Sequence, residues 1–171
     1  MLGYVVCEER GAADKLLADA AHRLLAAGWP LVGAVQVNSD TDVGIPCNMD
    51  LHVIASGEVI RISQNLGPLS QGCRLDPLGL EDVVGRVERA LDTAAPRPRL
   101  LVVNKFGKQE IDGRGFRPVI GRALGDGMRV LTAVNPMSVE AFRGFAGELA
   151  EQVDASPEAI LDWCMNGSDH A

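Results

Sequence analysis

Leu100-Leu101-Val102-Val103-Asn104-Lys105-Phe106-Gly107-Lys108-Gln109-Glu110 is the stretch that decides the fold. Four consecutive branched aliphatic residues are too apolar for a strand with one wet face. They predict a strand buried on both faces of a parallel sheet. In open α/β sheets the ligand crevice lies just beyond the carboxyl ends of such strands. Asn104 and Lys105, which end the run, are therefore expected to face it.

Working outward, residues 94–98 (Ala-Ala-Pro-Arg-Pro) break a helix that Asp76 and Pro77 start and that Leu80, Val83, Val84, Val87 and Leu91 carry at helical spacing to about Thr93. Further upstream, residues 2–7 read as a strand. Residues 14–27 read as a helix with Leu17, Ala20, Ala21, Leu24 and Leu25 on one face, stopped by Gly28, and residues 31–37 as a second strand. Residues 38–46 are polar and turn-rich. Residues 49–55 and 59–63 flank Ser56-Gly57-Glu58 as a β-hairpin, and a glycine-rich loop follows over 67–72. Downstream, residues 116–124 predict a helix closed by Gly125, and 128–134 a last apolar strand. A helix starting at Ser138 carries Phe142, Phe145, Ala146 and Leu149, and Ser156-Pro157-Glu158 cap a final one through Cys164. This order predicts an α/β fold: three layers around a mostly parallel sheet, with an inserted antiparallel β-hairpin, as a single domain over 1–165 and a flexible tail over 166–171.

The totals bound the function. The 171 residues, 47% of them hydrophobic, suffice for one well-filled core. A net charge of −7 argues against a nucleic-acid partner or an anionic membrane surface, which need a dominant basic face. Residues 105–129 run against that trend, with six basic residues and three acids. A local anion site is thus compatible with an acidic protein. No apolar run reaches the roughly 20 residues that span a bilayer, and Glu8 and Glu9 follow the first strand at once, so a cytoplasmic location is expected. Cys7, Cys47, Cys73 and Cys164 form no Cys-x-x-Cys pair.

The junction after the first strand reads Cys7-Glu8-Glu9-Arg10-Gly11-Ala12-Ala13-Asp14-Lys15-Leu16. Laid over the phosphate-cradling pattern Gly-x-x-x-x-Gly-Lys-Ser/Thr, Lys15 takes the lysine position. Glu9, Asp14 and Leu16 take the two glycine positions and the hydroxyl position. The alternative is an ordinary strand–helix turn with a solvated lysine. What raises the first reading is the far end. Residues 100–110, followed by Gly115-Phe116, a helix and a Val-rich strand, resemble the small nucleoside-triphosphatase family of P-loop proteins. The corresponding stretch there reads Asp-Glu-x-Gly-x-x-Glu. The resemblance spans residues 1 to about 150 and implies a P-loop-NTPase-like fold. In that family the strand-end Asp supports magnesium and the adjacent Glu helps activate water. Asn104 and Lys105 stand at those positions, while Gly107 and Glu110 match.

Across nearly the whole chain, Cys47-Asn48-Met49-x-Leu51, Ser63-Gln64-x-Leu66-Gly67, Cys73-Arg74-Leu75-Asp76 and Asn104-Lys105-Phe106-Gly107-Lys108-x-Glu110 resemble a bacterial family of unknown function. Its members, as the resemblance implies, often accompany molybdate-uptake or nitrogenase genes.

Residues 72–77 are expected at a helix N-terminus, where unpaired amides attract anions and lower a thiol pKa. Arg74 there clamps an oxyanion, or pairs with Asp76 and merely fixes the loop. Cys47, His52 and Cys73 offer thiolate and imidazole ligands for a metal if the hairpin folds over the loop. The sequence therefore supports a nucleotide- or oxyanion-binding accessory or sensor protein linked to molybdate or nitrogenase metabolism. Its candidate contacts are Gly11, Lys15, Cys73, Arg74, Asn104, Lys105, Lys108 and Glu110, with nucleotide, phosphate or a molybdate-like oxyanion as ligand and inefficient NTP hydrolysis. A protein partner is compatible with that role. The rivals are an active NTPase or phosphotransferase using Glu8, Glu9 or Glu110, and a thiol or metal protein using Cys47, Cys73 and His52.

Overall fold

The computed structural model describes residues 1–37, 48–64 and 74–166. In chain order it contains β1 (Leu2–Val5), α1 (Ala12–Ala26), β2 (Leu31–Gln36), β3 (Asp50–Val53), β4 (Val59–Arg61), β5 (Ser63–Gln64), β6 (Arg74–Leu75), α2 (Pro77–Thr93) and β7 (Leu100–Phe106). It continues with α3 (Lys108–Ile111), α4 (Arg117–Gly125), β8 (Arg129–Val134), α5 (Val139–Ala146), β9 (Ala150–Gln152) and α6 (Pro157–Asn166). The main sheet has the order β4-β3-β2-β7-β8-β1-β9. Five neighbouring strands, β2, β7, β8, β1 and β9, run parallel, and the β3–β4 hairpin adds antiparallel at the β2 edge. β5 and β6 pair separately.

β7 is central because its side chains feed both faces. Leu101 and Val103 join the core beneath α2, α4 and α5, whereas Leu100 and Val102 join the core beneath α1 and α6. Each such side chain contributes roughly 1.5–3 kcal/mol on full burial. This is the three-layer α/β arrangement that the apolar run implies. Backbones approach closely within it: a Cβ on Gly33 would sit 1.9 Å from the Val102 carbonyl oxygen.

At its carboxyl end β7 is irregular. Val103 pairs with Thr132 and Phe106 with Val134, so three steps along β7 answer two along β8. The extra residue is a bulge, a device that re-aims side chains at the ends of strands. It returns Phe106 to the face of Leu101 and Val103, packed against Phe142 and Phe145 at 5.1 Å between ring centroids. Asn104 is buried and Lys105 exposed.

Two expectations need correction. The helix from Ser138 does not continue to Leu149: α5 ends at Ala146, Gly147 turns with φ +54, and β9 then pairs parallel with β1. β8 is the last apolar strand, and the polar β9 follows it. β9 escapes pattern reading because Ala-Glu-Gln has no apolar alternation, and its place comes from backbone pairing at the sheet edge, extended by Val153 N–H donating to the Tyr4 carbonyl at 2.9 Å. Asp76 and Pro77 do start α2, with Asp76 accepting from Leu78 N–H, and the short strand β6 precedes them with Arg74 opposite Gln64. α6 includes Asn166, where the tail was expected to begin. Residues 167–171, the turn-rich segment 38–46 and the loop 67–72 lie outside the described residues.

Candidate functional site

A cleft of about 630 Å³ opens at the carboxyl ends of the parallel strands, between the β1–α1 and β7–α3 junctions. That volume is in the range of small-molecule sites. Its walls differ in chemistry. The β1–α1 junction contributes Glu8, Glu9, Arg10, Gly11 and Asp14. The end of β7 contributes Asn104, Lys105, Gly107, Lys108 and Glu110. The apolar lining comes from Met49, Leu51 and Ile62 at the hairpin, Leu75 and Leu80 around the start of α2, and Phe116 at the start of α4.

The polar floor is a chain of hydrogen bonds across three elements. The Gln36 N–H at the end of β2 donates to Asn104 Oδ1 at 2.8 Å, and Asn104 Nδ2 donates to the Asp14 carboxylate at 2.9 Å. Asn104, only 4% exposed, thereby fastens α1 to β7 and β2.

The first junction departs from the phosphate-loop overlay. Gly11 caps α1 in the left-handed conformation (φ 79), and the helix is already under way at Ala12, three residues before Lys15. The Lys15 N–H donates to the Gly11 carbonyl at 3.2 Å, and the Lys15 side chain is exposed and away from the cleft lining. Asp14, aligned with a glycine in that overlay, is the residue of this turn that reaches Asn104.

Glu110 is 3% exposed and already engaged. Its carboxylate accepts from Gly107 N–H at 2.9 Å and Phe116 N–H at 3.1 Å, tying the end of β7 to the start of α4. Burial pushes its pKa up against those amide donors, which favour the charged form. Gly115 lies against it with φ +60, and a Cβ there would sit 2.3 Å from the carboxylate. The Gly115 N–H in turn donates to Glu81 at 2.9 Å.

Of the remaining expected residues, Arg74 is exposed on β6 and away from the cleft lining. His52 is half-buried on β3, opposite Val35 and Val59. Cys47 and Cys73 lie outside the described residues. Among the described residues no three His, Cys, Asp or Glu side chains are grouped to hold a metal ion. Burial, with Asp14 and Glu9 adding, raises the Cys7 thiol pKa, and burial pushes Cys164 up to about 12.

Sequence reasoning passed over Asp14, Gln36 and the apolar wall as parts of one site. Asp14 carried a legible signal: it extends the buried stripe of Leu17, Ala21 and Leu24 by one turn, so an acid stands where that stripe reaches the strand ends.

The family described as "Protein of unknown function (DUF2478)" matches residues 2–163. The chain belongs to this family. A relative, "Molybdenum import ATP-binding protein ModC 2" of Bradyrhizobium diazoefficiens, is 37% identical over 155 residues, which are 91% of this chain and 17% of the relative. The chain thus spans under a fifth of that protein's length. Two solved structures share the fold. The solution structure of a human cancer-related nucleoside triphosphatase has a TM-score of 0.64 at 17% identity, covering 95% of this chain and 92% of the other. The crystal structure of THEP1 from the hyperthermophile Aquifex aeolicus has a TM-score of 0.61 at 14% identity, covering 92% and 91%. The DUF2478 chain thus has a P-loop-NTPase-like fold. Among the described residues no helix is long and apolar enough to cross a membrane.

Proposed function

We propose that this DUF2478 protein is a nucleotide-binding accessory or sensor protein that uses the cleft at the carboxyl ends of β1 and β7 and hydrolyses nucleoside triphosphates inefficiently. The observation that carries this reading is the composition of the cleft: one wall apolar, the others polar and charged, in a volume suited to a small organic ligand. A heterocycle gains from the apolar wall, and a phosphate gains from Lys105 and Lys108. Slow hydrolysis follows from Leu16, Asn104 and Lys105 standing where metal-supporting and water-activating groups are needed. Glu110, the acid that matches the nucleoside-triphosphatase pattern, is occupied by two backbone amides.

A second reading, a molybdate-like oxyanion as ligand, draws on the relative whose name is that of a molybdenum importer's ATP-binding protein. The same relative supports a role beside an importer. A small tetrahedral anion leaves the apolar wall unfilled, so the nucleotide reading is preferred.

Thermal-shift measurements with nucleotides, phosphate, sulfate, molybdate and tungstate test both, because a ligand that binds only the native state stabilises it by RT ln(1 + [L]/Kd). Nucleotides are expected to raise Tm, with magnesium-dependent phosphate release staying below about one turnover per second. Stabilisation by molybdate alone selects the second reading.

A further inference from the structure

We propose that the cleft holds its ligand in a polarity opposite to phosphate-on-α1 binding. A hydrogen-bond-donating heterocycle lies between the hairpin wall and the Asp14–Asn104 pair, and one phosphate faces Lys105 and Lys108. The ligand class is then a nucleoside monophosphate. The proposal rests on the nucleotide reading above.

A helix N-terminus carries a partial positive charge of roughly half a unit, which an anion there complements. In α1 the protein supplies that anion itself, because Asp14 is in the first turn. Glu8 and Glu9 line the approach beside Arg10. A phosphate aimed at this turn meets a carboxylate in the place it would take.

The apolar wall and the polar floor are contiguous. Leu51 on the apolar wall is the register partner of Gln36, whose N–H donates to Asn104, which donates to Asp14. Apolar wall and acceptor floor therefore adjoin, as a ring with one apolar face and donor edges requires. Asn104 uses one of its two amide hydrogens and one oxygen lone pair in these bonds, so it keeps one donor and one acceptor.

The cations stand in the cleft lining at the end of β7. The β7 bulge turns Lys105 outward beyond buried Asn104, and Lys108 opens α3 two residues past the strand. Two lysines match the roughly −1.5 to −2 charge of one phosphate group. They do not match the greater charge of a triphosphate.

Isothermal titration with GMP, AMP, guanosine, adenosine, ATP and inorganic phosphate tests the assignment on wild type, Asp14→Asn, Met49→Ala and Lys105→Ala/Lys108→Ala. A monophosphate is expected to bind best, its nucleoside about tenfold more weakly, and inorganic phosphate not measurably. Asp14→Asn and Met49→Ala weaken nucleoside and monophosphate alike by about tenfold. The double lysine variant brings the monophosphate down to the affinity of its nucleoside. Far-ultraviolet circular dichroism and Tm show that each variant is folded, and Met49→Ala serves if Asp14→Asn is not. Tighter binding of ATP or phosphate by Asp14→Asn, with nucleoside affinity unchanged, overturns the polarity while leaving nucleotide binding intact. If no nucleoside or nucleotide binds to wild type, the nucleotide reading itself falls and this inference with it.

Discussion

Two strand–helix junctions open on the same cleft, and they are held by opposite means. After β7, residues 107–116 are tied to a buried carboxylate: Glu110 accepts from Gly107 and Phe116, and Arg117 donates to the carbonyls of Glu110 and Ile111 at 3.2 and 3.1 Å. Arg117 also lies over the Phe145 ring at 4.7 Å, and Phe145 stacks on Phe106, which carries the arrangement into the core. After β1, by contrast, the turn closes through backbone bonds from Ala12 to Glu9 and from Lys15 to Gly11, and Asp14 accepts from the Asn104 side chain. An acid that matches a catalytic pattern can thus be a structural tie. An acid hidden in a glycine position can be the one that lines the cleft.

The largest effect expected from this contrast is on stability at the β7 junction. Glu110→Ala strands the buried Phe116 amide and the half-buried Gly107 amide and is expected to lower unfolding free energy by about 2–6 kcal/mol, at 1–3 kcal/mol for each group left unpaired. Urea melts measure it. Glu110→Gln keeps one acceptor and costs less, with a telling pH dependence. The pKa of Glu110 is raised in the fold above its ordinary 4.5, so the native state binds the proton more tightly. Its contribution is fully present below that value and is lost as pH rises through the folded pKa. The Gln variant lacks this loss, so its penalty relative to wild type shrinks as pH rises from 4. A penalty that grows instead means that the amide donors outweigh burial.

Gly115→Ala is next. It must adopt φ +60 and place a Cβ 2.3 Å from the Glu110 carboxylate, so about 3 kcal/mol is expected. Gly113→Ala, at φ +87 with nothing within 4 Å of its Cβ, bears only the left-handed penalty of about 1–2 kcal/mol. Equal losses in thermal melts would show that the Glu110 contact is not rigid.

The two junctions also differ in how far the sequence revealed them. The buried strand, its direction and the helix after Gly115 were readable, because Leu100 to Val103 can be satisfied only between two layers. The Asp76 cap and the hairpin were equally plain, since local chemistry fixes both. The bulge that separates Asn104 from Lys105 was not readable. It is set by how Phe106 must pack against Phe142 and Phe145, 36 and 39 positions away in sequence. The same holds for Glu110, whose partners are backbone amides with no residue signature, and for β9, which is polar because it pairs at an edge. At the β1 junction a pattern overlay drew attention to Lys15, whereas helix periodicity would have singled out Asp14.

Asn104→Asp probes the first junction with a smaller effect. It replaces the donor that meets Asp14 by a second carboxylate at the same short distance, so about 2 kcal/mol of stability is expected to be lost at neutral pH. Two carboxylates sharing a site raise one pKa, so the loss is smallest at low pH, where that group is protonated, and grows as pH rises. Urea melts at pH 4 and pH 7 compare the two conditions. Adding Lys105→Glu is not expected to create magnesium-dependent turnover above about one per second. The β1 turn would still carry Asp14 and Leu16 where a phosphate loop needs glycine and a hydroxyl, with Lys15 turned away from the cleft.

The smallest effect separates pattern from geometry. If Lys15 served as a phosphate-loop lysine, Lys15→Ala would weaken binding of a nucleotide by roughly 1.5–3 kcal/mol, the scale of a hydrogen bond to a charged group. Its side chain instead points to solvent from the first turn of α1, while Asp14 beside it reaches Asn104. Exposed substitutions of this kind usually fall within about ±0.5 kcal/mol in stability. Lys15→Ala is therefore expected to leave both Tm and nucleotide affinity nearly unchanged, whereas Lys105→Ala should weaken monophosphate binding. Titration of the two variants side by side decides the matter. A loss of affinity confined to Lys15→Ala would mean that the ligand approaches α1 after all, and that the two junctions exchange the roles assigned to them.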